Sequence, residues 1–275
     1  MMKPKINTII IPDVHGRTFW KDAIPYVEAG VPCIFLGDYV DPYDDEGISG
    51  LDALKNLREI IAFGHQHKDH VTMLLGNHDL SYLGDPWGLW TVHSDQFCYE
   101  WADVLSELFN ENAENYSLCA YWEVGGKQFL FSHAGMHPVW IDWCGLFDDV
   151  DKSNAKKLET KVNELYRESL KTGERTEFMN ALAMVGATRG GNSFAGSMVW
   201  ADICEYNNVK ENFTQIFGHT SQRNPVNGEW AEPCIVGNNI CVDCGRCFYL
   251  DDEGQLHYLD DNRRVTEGWH LPHNN

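Results

Sequence analysis

The sequence has few basic residues for its size and no long apolar run. Its 275 residues contain 21 Lys and Arg against 41 Asp and Glu, which gives a formal net charge of −20. Binding to nucleic acid or to an anionic membrane needs a basic face, so the balance argues against a nucleic-acid-binding surface and a membrane partner. No apolar stretch reaches the roughly 18 residues of a membrane span, and Ile9–Ile11 is too short for the core of a signal peptide.

Cysteine is also too sparse to form a disulfide scaffold. The nine cysteines are an odd number, so they cannot all pair with one another. We expect free thiols in a reducing compartment, and hence a cytoplasmic location. Neither an internal repeat nor a Pro-, Gly- or Ser-rich linker divides the chain, and 43% hydrophobic residues are ordinary for a folded protein. The sequence therefore predicts a single domain over residues 1–275.

One local pattern recurs five times along the chain. A short apolar run, typical of a buried strand, ends in a turn residue that is followed at once by polar side chains of metal-ligand type. Because functional sites in α/β folds lie beyond the carboxyl ends of the strands, we expect these side chains to meet. The five polar segments are Pro12–Gly16, Gly37–Asp38, Gly76–Asp79, Ser132–Gly135 and Gly218–Thr220.

Segments with helical spacing fill the gaps between these runs. A first helix is predicted from residue 51 and should end at Gly64, because glycine is typical just beyond a helix. A second should begin after Ser94 as N-cap and continue to 108, and a third spans 158–170. The Gly- and Ser-rich residues 186–197 indicate a loop, and strands at 234–236 and 240–242 close the chain.

The polar residues at the strand ends have the chemistry of a metal site. They include two carboxylates, one amide and three imidazoles, which together suit two divalent cations of hard or borderline character. A carboxylate that lies between two such ions can bridge them. The ions would also make the site locally positive, so an anionic phosphate can bind to an acidic protein.

The motifs resemble those of the calcineurin-like metallophosphoesterases. The likeness is closest to the serine/threonine-phosphatase-like and diadenosine-tetraphosphatase-like branch, and it extends over residues 9 to 245 in the family's order. The resemblance implies an α/β fold in the form of a four-layer sandwich, with two mixed β-sheets flanked by helices. The motifs are Asp13-Val-His15-Gly16, Gly37-Asp38-Tyr-Val-Asp41, Gly76-Asn77-His78-Asp79, His133-Ala-Gly135 and Gly218-His219-Thr220.

The resemblance also implies a role for each site residue. It makes Asp38 the bridge between two metal ions, His78 the general acid, and Asp41 the residue that orients His78. The ions are expected to be manganese, with iron, zinc, nickel and magnesium as alternatives. The implied ligands are Asp13, His15 and Asp38 for one ion, and Asp38, Asn77, His133 and His219 for the other.

The chain departs from the family pattern at the residues that clamp phosphate. Pro42 stands where serine/threonine phosphatases of this type have an arginine. A second family arginine lies near a Trp-Ser-Asp stretch that Trp200-Ala201-Asp202 resembles, but here no arginine lies between this stretch and His219. The candidate replacements are three other arginines. They are Arg17, Arg189 and Arg223. Among them we favour Arg189, because it stands in a glycine-rich loop that lets the backbone approach a ligand.

The function expected from the resemblance is hydrolysis of a phosphate monoester by in-line attack of a hydroxide bound to two metal ions. The substrate would be a phosphorylated small molecule, a nucleotide or a phosphoprotein. A phosphodiesterase or dinucleoside-polyphosphate hydrolase is the first alternative, since a diester or anhydride carries less charge at the attacked phosphorus. An inactive scaffold with the same fold is the second.

Two further features leave alternatives open. The aromatic residues Tyr82, Trp87 and Trp90 closely follow His78 and predict an inserted helical or aromatic lid near residues 80–125, or otherwise the core of a small subdomain there. The Cys241-Val-Asp-Cys244 segment has a spacing known from zinc sites, although free thiols at a strand end are the simpler interpretation.

Overall fold

Two mixed β-sheets lie face to face, and helices cover their outer sides. The computed structural model describes residues 5–83, 98–207, 209, 212–224 and 226–266. The strands are β1 (Ile6–Ile11), β2 (Cys33–Phe35), β3 (Val71–Leu74), β4 (Tyr116–Ser117), β5 (Cys119–Val124), β6 (Lys127–Ser132), β7 (Thr214–Phe217), β8 (Cys234–Val236), β9 (Asn239–Cys241), β10 (Phe248–Asp251) and β11 (Leu256–Tyr258). The helices are α1 (Ile24–Glu28), α2 (Gly50–Gln66), α3 (Asn77–Tyr82), α4 (Ala102–Glu111), α5 (Pro138–Trp143), α6 (Ala155–Thr172) and α7 (Glu177–Leu182).

Each sheet combines parallel and antiparallel neighbours. The first has the order β11-β10-β1-β2-β3-β4, in which β1 to β4 are parallel and β10 and β11 are antiparallel additions. The second has the order β5-β6-β7-β9-β8, in which β6, β7 and β9 are parallel and the two edge strands are antiparallel. The predicted fold class, two mixed sheets flanked by helices, is confirmed.

Alternating side chains of β1 pack on opposite faces of the first sheet. Ile10 points between the two sheets and belongs to the same buried cluster as Phe131 and Ile216 of the second sheet. Ile9 and Ile11 point the other way, into a cluster that contains the apolar face of α2. This period of two is the geometry of a strand buried on both faces, and it explains why β1 appears in the sequence as a continuous apolar run.

Helix α2 differs from its prediction at one end. Ser49 caps it, because its hydroxyl accepts a hydrogen bond from the amide of Asp52 at 3.1 Å, but the helix continues through Gly64 to Gln66. The predicted stop at Gly64 is wrong. A Cβ at this position would lie 2.7 Å from the sulfur of Met73 in β3, so the glycine allows the helix to pack closely on the sheet.

The other predicted elements agree with the structure to different extents. Helix α6 extends the predicted third helix to Ala155–Thr172, and residues 186–197 contain only the short 3-10 turn Ala187–Arg189. Helix α4 begins at Ala102, while Ser94 lies outside the described residues. Trp87 and Trp90 also lie outside them, so the lid and its boundaries stay a prediction. Strands β10 and β11 were not predicted.

Asp79 joins the loops that follow β2 and β3. Its Oδ2 accepts hydrogen bonds from the amides of Asp38 at 2.7 Å and Gly76 at 2.8 Å, and its Oδ1 accepts one from Tyr39 at 2.9 Å. The carboxylate is fully buried. Three backbone donors at one buried carboxyl group make a strong local crosslink, and it fixes the loop that carries Asp38.

Replacing this carboxylate with an amide should destabilise the fold. In Asp79→Asn, the side-chain NH₂ group must face at least one of the three backbone N–H donors, which then loses its partner inside the protein. We expect a loss of about 2 kcal/mol in the free energy of unfolding, measured by urea denaturation. The exposed Asp69→Asn is the matched control and should change stability by less than about 0.5 kcal/mol. Equal stability of the two variants would contradict the crosslink.

Candidate active site

Hydrogen bonds of the backbone bring the strand ends of the two sheets together. The amide of His15, after β1, donates to the carbonyl of Asp38, after β2, at 2.7 Å. The amide of His219, after β7 in the other sheet, donates to both carboxylate oxygens of Asp13 at 2.9 and 3.1 Å. The side chains that follow these strands therefore converge at one edge of the sandwich, as their positions in the sequence predict.

The loops at this edge have an unusual backbone. His15, Asp38, Asp41 and His219 all have positive φ angles, of 44°, 50°, 61° and 65°. Among the described residues, Asn262 is the only other non-glycine residue with this conformation. A positive φ angle in a residue with a Cβ raises the conformational free energy by on the order of 1 kcal/mol or more, and such strain is typical of functional sites.

Asp38 is shared by two groups of metal-ligand side chains. One group consists of Asp13, His15 and Asp38, and the other of Asp38, His133 and His219. Asp38 Oδ2 lies 3.8 Å from His15 Nε2 and 3.2 Å from His133 Nε2. All five side chains are buried. A carboxylate in this position can contact two cations at once.

Asn77 completes the second group. Its Oδ1 lies 2.9 Å from His133 Nε2, which is also 3.1 Å from His219 Nδ1. Ligand atoms that share one ion at about 2.1 Å stand roughly 3 Å from one another, so these separations fit a common cation. Carboxylate, amide and imidazole donors suit Mn²⁺, Fe²⁺ and Zn²⁺.

The two central histidines are oriented by backbone carbonyls. His15 Nδ1 lies 2.9 Å from the carbonyl oxygens of both Val40 and Asp41, and His133 Nδ1 lies 2.9 Å from that of Leu36. A carbonyl can only accept, so Nδ1 carries the proton in each ring. The lone pair of Nε2 then faces the cluster, which is the arrangement of metal-binding histidines.

The buried carboxylates of the cluster attract positive charge. Burial alone would lower the pKa of His133, but Asp38 and Asp13 outweigh it and raise the pKa to about 10. Burial dominates at His15 and lowers its pKa to about 3, so this ring is neutral. Without a cation this field favours a second proton on His133, at Nε2, and it would equally stabilise a divalent cation that takes the place of this proton between the same side chains.

His78 and Asp41 form a hydrogen-bonded pair beside the cluster. His78 Nδ1 lies 2.7 Å from Asp41 Oδ2, and the His78 amide donates to Asp38 Oδ1 at 3.0 Å. The Asp41 side chain is fully buried, whereas 13% of the His78 side chain is exposed. Burial would lower the pKa of His78, but Asp38 and Asp41 raise it to about 9. The imidazolium can therefore carry a transferable proton at neutral pH.

Two of the three candidate clamps are held by carboxylates. Arg17 Nε donates to both oxygens of Glu46 at 3.0 Å, and Arg223 donates to both oxygens of Asp45 at 2.8 and 3.0 Å. Both guanidinium groups also lie over the ring of Tyr43, at 5.1 and 5.7 Å from its centroid. Neighbouring carboxylates therefore balance both charges, while Arg17 Nη1 also donates to the carbonyl of Asp13 at 3.2 Å.

Arg189, the favoured clamp, lies nearest to the second ligand group. Its Nη2 donates to the carbonyl of His219 at 3.2 Å and to the hydroxyl of Thr220 at 3.1 Å. Its Nε, however, lies 2.9 Å from a carboxylate oxygen of Asp202. The guanidinium of Arg189 thus lies beside the second ligand group, and the carboxylate of Asp202 balances its charge.

Two residues near the site were missed by sequence reasoning. Tyr82, interpreted as part of a lid or of the core of a small subdomain, is buried, and its hydroxyl donates to Asp41 Oδ1 at 2.5 Å. Asp243 is also buried, and both of its carboxylate oxygens lack a partner among the described residues. It directly follows the apolar run 240–242, a signal like that of the other five strand ends but without their turn residue, and the sequence analysis assigned no role to it. The described residues contain no ligand group at Cys241 or Cys244.

The fold and the ligand cluster together define a class of hydrolase. Two mixed sheets with paired metal-ligand groups at their carboxyl edge form a metal-dependent phosphoesterase. The model of the calcineurin-like phosphoesterase family matches residues 6–223, and the chain belongs to that family. The resemblance stated from the motifs is confirmed.

Solved structures agree on the fold. The cold-active protein-tyrosine phosphatase of a psychrophilic Shewanella species has a TM-score of 0.58 and 16% sequence identity, covering 97% of this chain and 83% of that one. A single-residue mutant of a cold-active protein-tyrosine phosphatase has a TM-score of 0.60 and 17% identity over the same shares. At these identities the likeness concerns the fold alone.

A curated relative is similar over part of the chain. The symmetrical bis(5'-nucleosyl)-tetraphosphatase of Chromobacterium violaceum is 32% identical over 82 residues, which are 30% of this chain and 28% of that protein. The match thus spans less than a third of the relative's length. In the described part of the chain, no helix has the length and apolar character needed to cross a membrane.

Removing the shared charge should weaken binding at both ligand groups. Asp38→Asn keeps the shape of the side chain but replaces a carboxylate with a neutral amide, which is a poor bridge between two cations. We expect metal content after dialysis against Mn²⁺ to fall from about two ions per chain to below one, measured by mass spectrometry of the metal. Asp69→Asn, exposed and remote, should keep the wild-type content. Two retained ions in Asp38→Asn would exclude Asp38 as the bridge.

Proposed function

We propose that this protein hydrolyses phosphate monoesters with two divalent metal ions, for which manganese is the expected metal. The observation that carries the proposal is the position of Asp38, which belongs to both ligand groups while its Oδ1 accepts the amide of His78. The same carboxylate would therefore bind the metal ions and position the backbone of the proton donor. When bound, the two ions would supply Lewis acidity and a nucleophilic water at neutral pH.

The proposed ligands are those that the motifs imply. Asp13, His15 and Asp38 would hold one ion, and Asp38, Asn77, His133 and His219 the other. Their burial, their orientation by backbone carbonyls and separations close to 3 Å support this set. The cytoplasmic location is part of the same proposal, and the free thiols at all nine cysteines are the state that a reducing compartment maintains.

His78 is the proposed general acid. Its Nδ1–H donates to Asp41 Oδ2, so the second proton, on Nε2, is the one available to a leaving alkoxide oxygen. Asp41 stabilises the imidazolium before this transfer and holds the ring in one orientation. After the transfer, His78 is neutral and keeps the Nδ1 proton toward Asp41.

A second candidate function is supported by the pairing of the arginines. Arg17, Arg189 and Arg223 each lie against a carboxylate, so the cluster has no uncompensated guanidinium for a phosphate dianion. Such a site favours a phosphodiester or a dinucleoside polyphosphate, because the attacked phosphoryl group of either carries less charge. The substrate would then be a nucleotide rather than a phosphoprotein.

The general-acid role can be tested through the leaving group. Wild-type protein with Mn²⁺ should hydrolyse both p-nitrophenyl phosphate and an alkyl phosphate, and His78→Ala should lower kcat on the alkyl ester by about 10²–10⁴-fold. The loss should be much smaller on p-nitrophenyl phosphate, because nitrophenolate leaves without a proton. Metal content should stay at the wild-type value.

Two outcomes would count against this part of the proposal. Equal losses on the two esters would mean that His78 does not donate the proton. Wild-type protein that binds Mn²⁺ but cleaves neither monoesters, diesters nor dinucleoside polyphosphates would be a scaffold of the same fold, and the hydrolytic function itself would be wrong.

The substrate class can be decided with single arginine variants. If the protein is a monoesterase, Arg189→Ala should lower kcat/KM by about ten- to a hundred-fold on p-nitrophenyl phosphate, since a charge-assisted hydrogen bond to a dianion contributes about 1.5–3 kcal/mol. The loss on bis-p-nitrophenyl phosphate, a monoanion, should be smaller. Arg17→Ala and Arg223→Ala are the comparison variants. If no arginine matters and wild type prefers the diester or diadenosine tetraphosphate, the second function replaces the first.

A further inference from the structure

The carboxylate of Asp41 has a second partner besides His78. Tyr82 is the last residue of α3, its side chain is 1% exposed, and its ring stacks on Phe109 with centroids 5.9 Å apart. Its hydroxyl donates to Asp41 Oδ1 at 2.5 Å, while His78 Nδ1 lies 2.7 Å from Oδ2. Each oxygen of Asp41 thus faces a different side chain.

Helix geometry explains why both side chains reach the same carboxylate. His78 and Tyr82 are four residues apart on α3, and residues at this spacing lie above one another on one face of a helix. The side chain of Asp41 lies against that face. A short helix thereby holds the carboxylate between two residues one turn apart.

A backbone amide completes the network. Cys98 N donates to Asp41 Oδ1 at 3.1 Å and lies 2.9 Å from the Tyr82 hydroxyl. Oδ1 therefore has two donors, whereas Oδ2 has the imidazole. With two donors at Oδ1, rotation of the carboxylate about its Cβ–Cγ bond is opposed, and Oδ2 stays directed at His78.

We propose that Tyr82 is a positioning residue of the proton-donating pair, whose hydroxyl fixes the Asp41 carboxylate so that His78 presents its Nε2 proton to the leaving group. The inference rests on the proposed role of His78 and extends it by one residue. Tyr82 itself keeps its proton and touches no reacting atom. Its contribution is the orientation of Asp41, and through it the orientation of the imidazole.

The variant Tyr82→Phe removes the hydroxyl and keeps the ring on Phe109. We expect kcat for an alkyl phosphate to fall by about tenfold, because the Asp41 carboxylate loses a donor at Oδ1 and directs Oδ2 at His78 less firmly. KM and metal content should stay unchanged, and kcat on p-nitrophenyl phosphate should change by less than about twofold. The ratio of the two rates is independent of the fraction of folded protein, so it remains informative if the variant is less stable.

Tyr116→Phe is the matched control. Tyr116 is buried beside Phe109, with centroids 5.9 Å apart, and its hydroxyl has no hydrogen-bond partner among the described residues. Loss of this hydroxyl should leave the ratio of alkyl to nitrophenyl rates as in wild type. A structural effect of removing any buried hydroxyl from this core would appear in both variants.

A double variant separates positioning from structure. In a His78→Asn background, Tyr82→Phe should cause no further loss on the alkyl ester, because the residue through which it acts is gone. A further loss equal to that in wild type, or an equal loss on both esters in the single variant, would overturn the positioning role. If His78→Asn shows no dependence on the leaving group, the general-acid assignment fails instead, so the two failures are distinguishable.

Discussion

A cluster of buried carboxyl groups at one edge of the sandwich is the constraint on which the site depends. Asp13, Asp38, Asp41, Asp79 and Asp243 are all buried there. An ionised carboxylate inside a protein is costly unless hydrogen bonds or a cation balance it. Backbone amides balance Asp79, and donors from His78, Tyr82 and Cys98 balance Asp41. Asp13 accepts the amide of His219 and Asp38 accepts that of His78, and cations held at the two ligand groups would complete the balance.

The backbone is strained where these carboxylates meet, and the surrounding structure holds it in place. His15, Asp38, Asp41 and His219 adopt left-handed conformations that relaxed loops with a Cβ avoid. Each stands directly beyond a strand or in the loop that follows it, so its neighbours are fixed by a sheet. Ladder hydrogen bonds in both sheets, together with the Asp79 crosslink, offset this strain. Preorganised ligands need not move when a cation binds, which favours tight and selective sites.

The sequence was most informative where structure is local. An apolar run, a turn residue and a polar side chain define a strand end by themselves, so the positions of the candidate ligands at strand ends were predictable before the strands were known to meet. Interactions between distant segments gave no such signal. The helix continues through Gly64 because Met73 of β3 packs on this glycine. The carboxylate partners of Arg17 and Arg223 come from the loop that contains Asp45 and Glu46, which is far from Arg223 in the sequence. The contact of Tyr82 with Asp41 was not predicted, because the two residues are 41 positions apart in the sequence.

The charge of the whole chain connects these observations to the substrate. With a net charge of −20, the protein repels a phosphate dianion at long range, and salt at physiological strength screens this repulsion beyond about 8 Å. At short range, the arginines beside the cluster have already been neutralised by Glu46, Asp45 and Asp202. Metal ions held by the candidate ligands would then be the dominant source of positive charge at the site. In the proposed enzyme, the phosphoryl group would be held mainly through the ions, and Arg189 would contribute as a guanidinium already paired with Asp202.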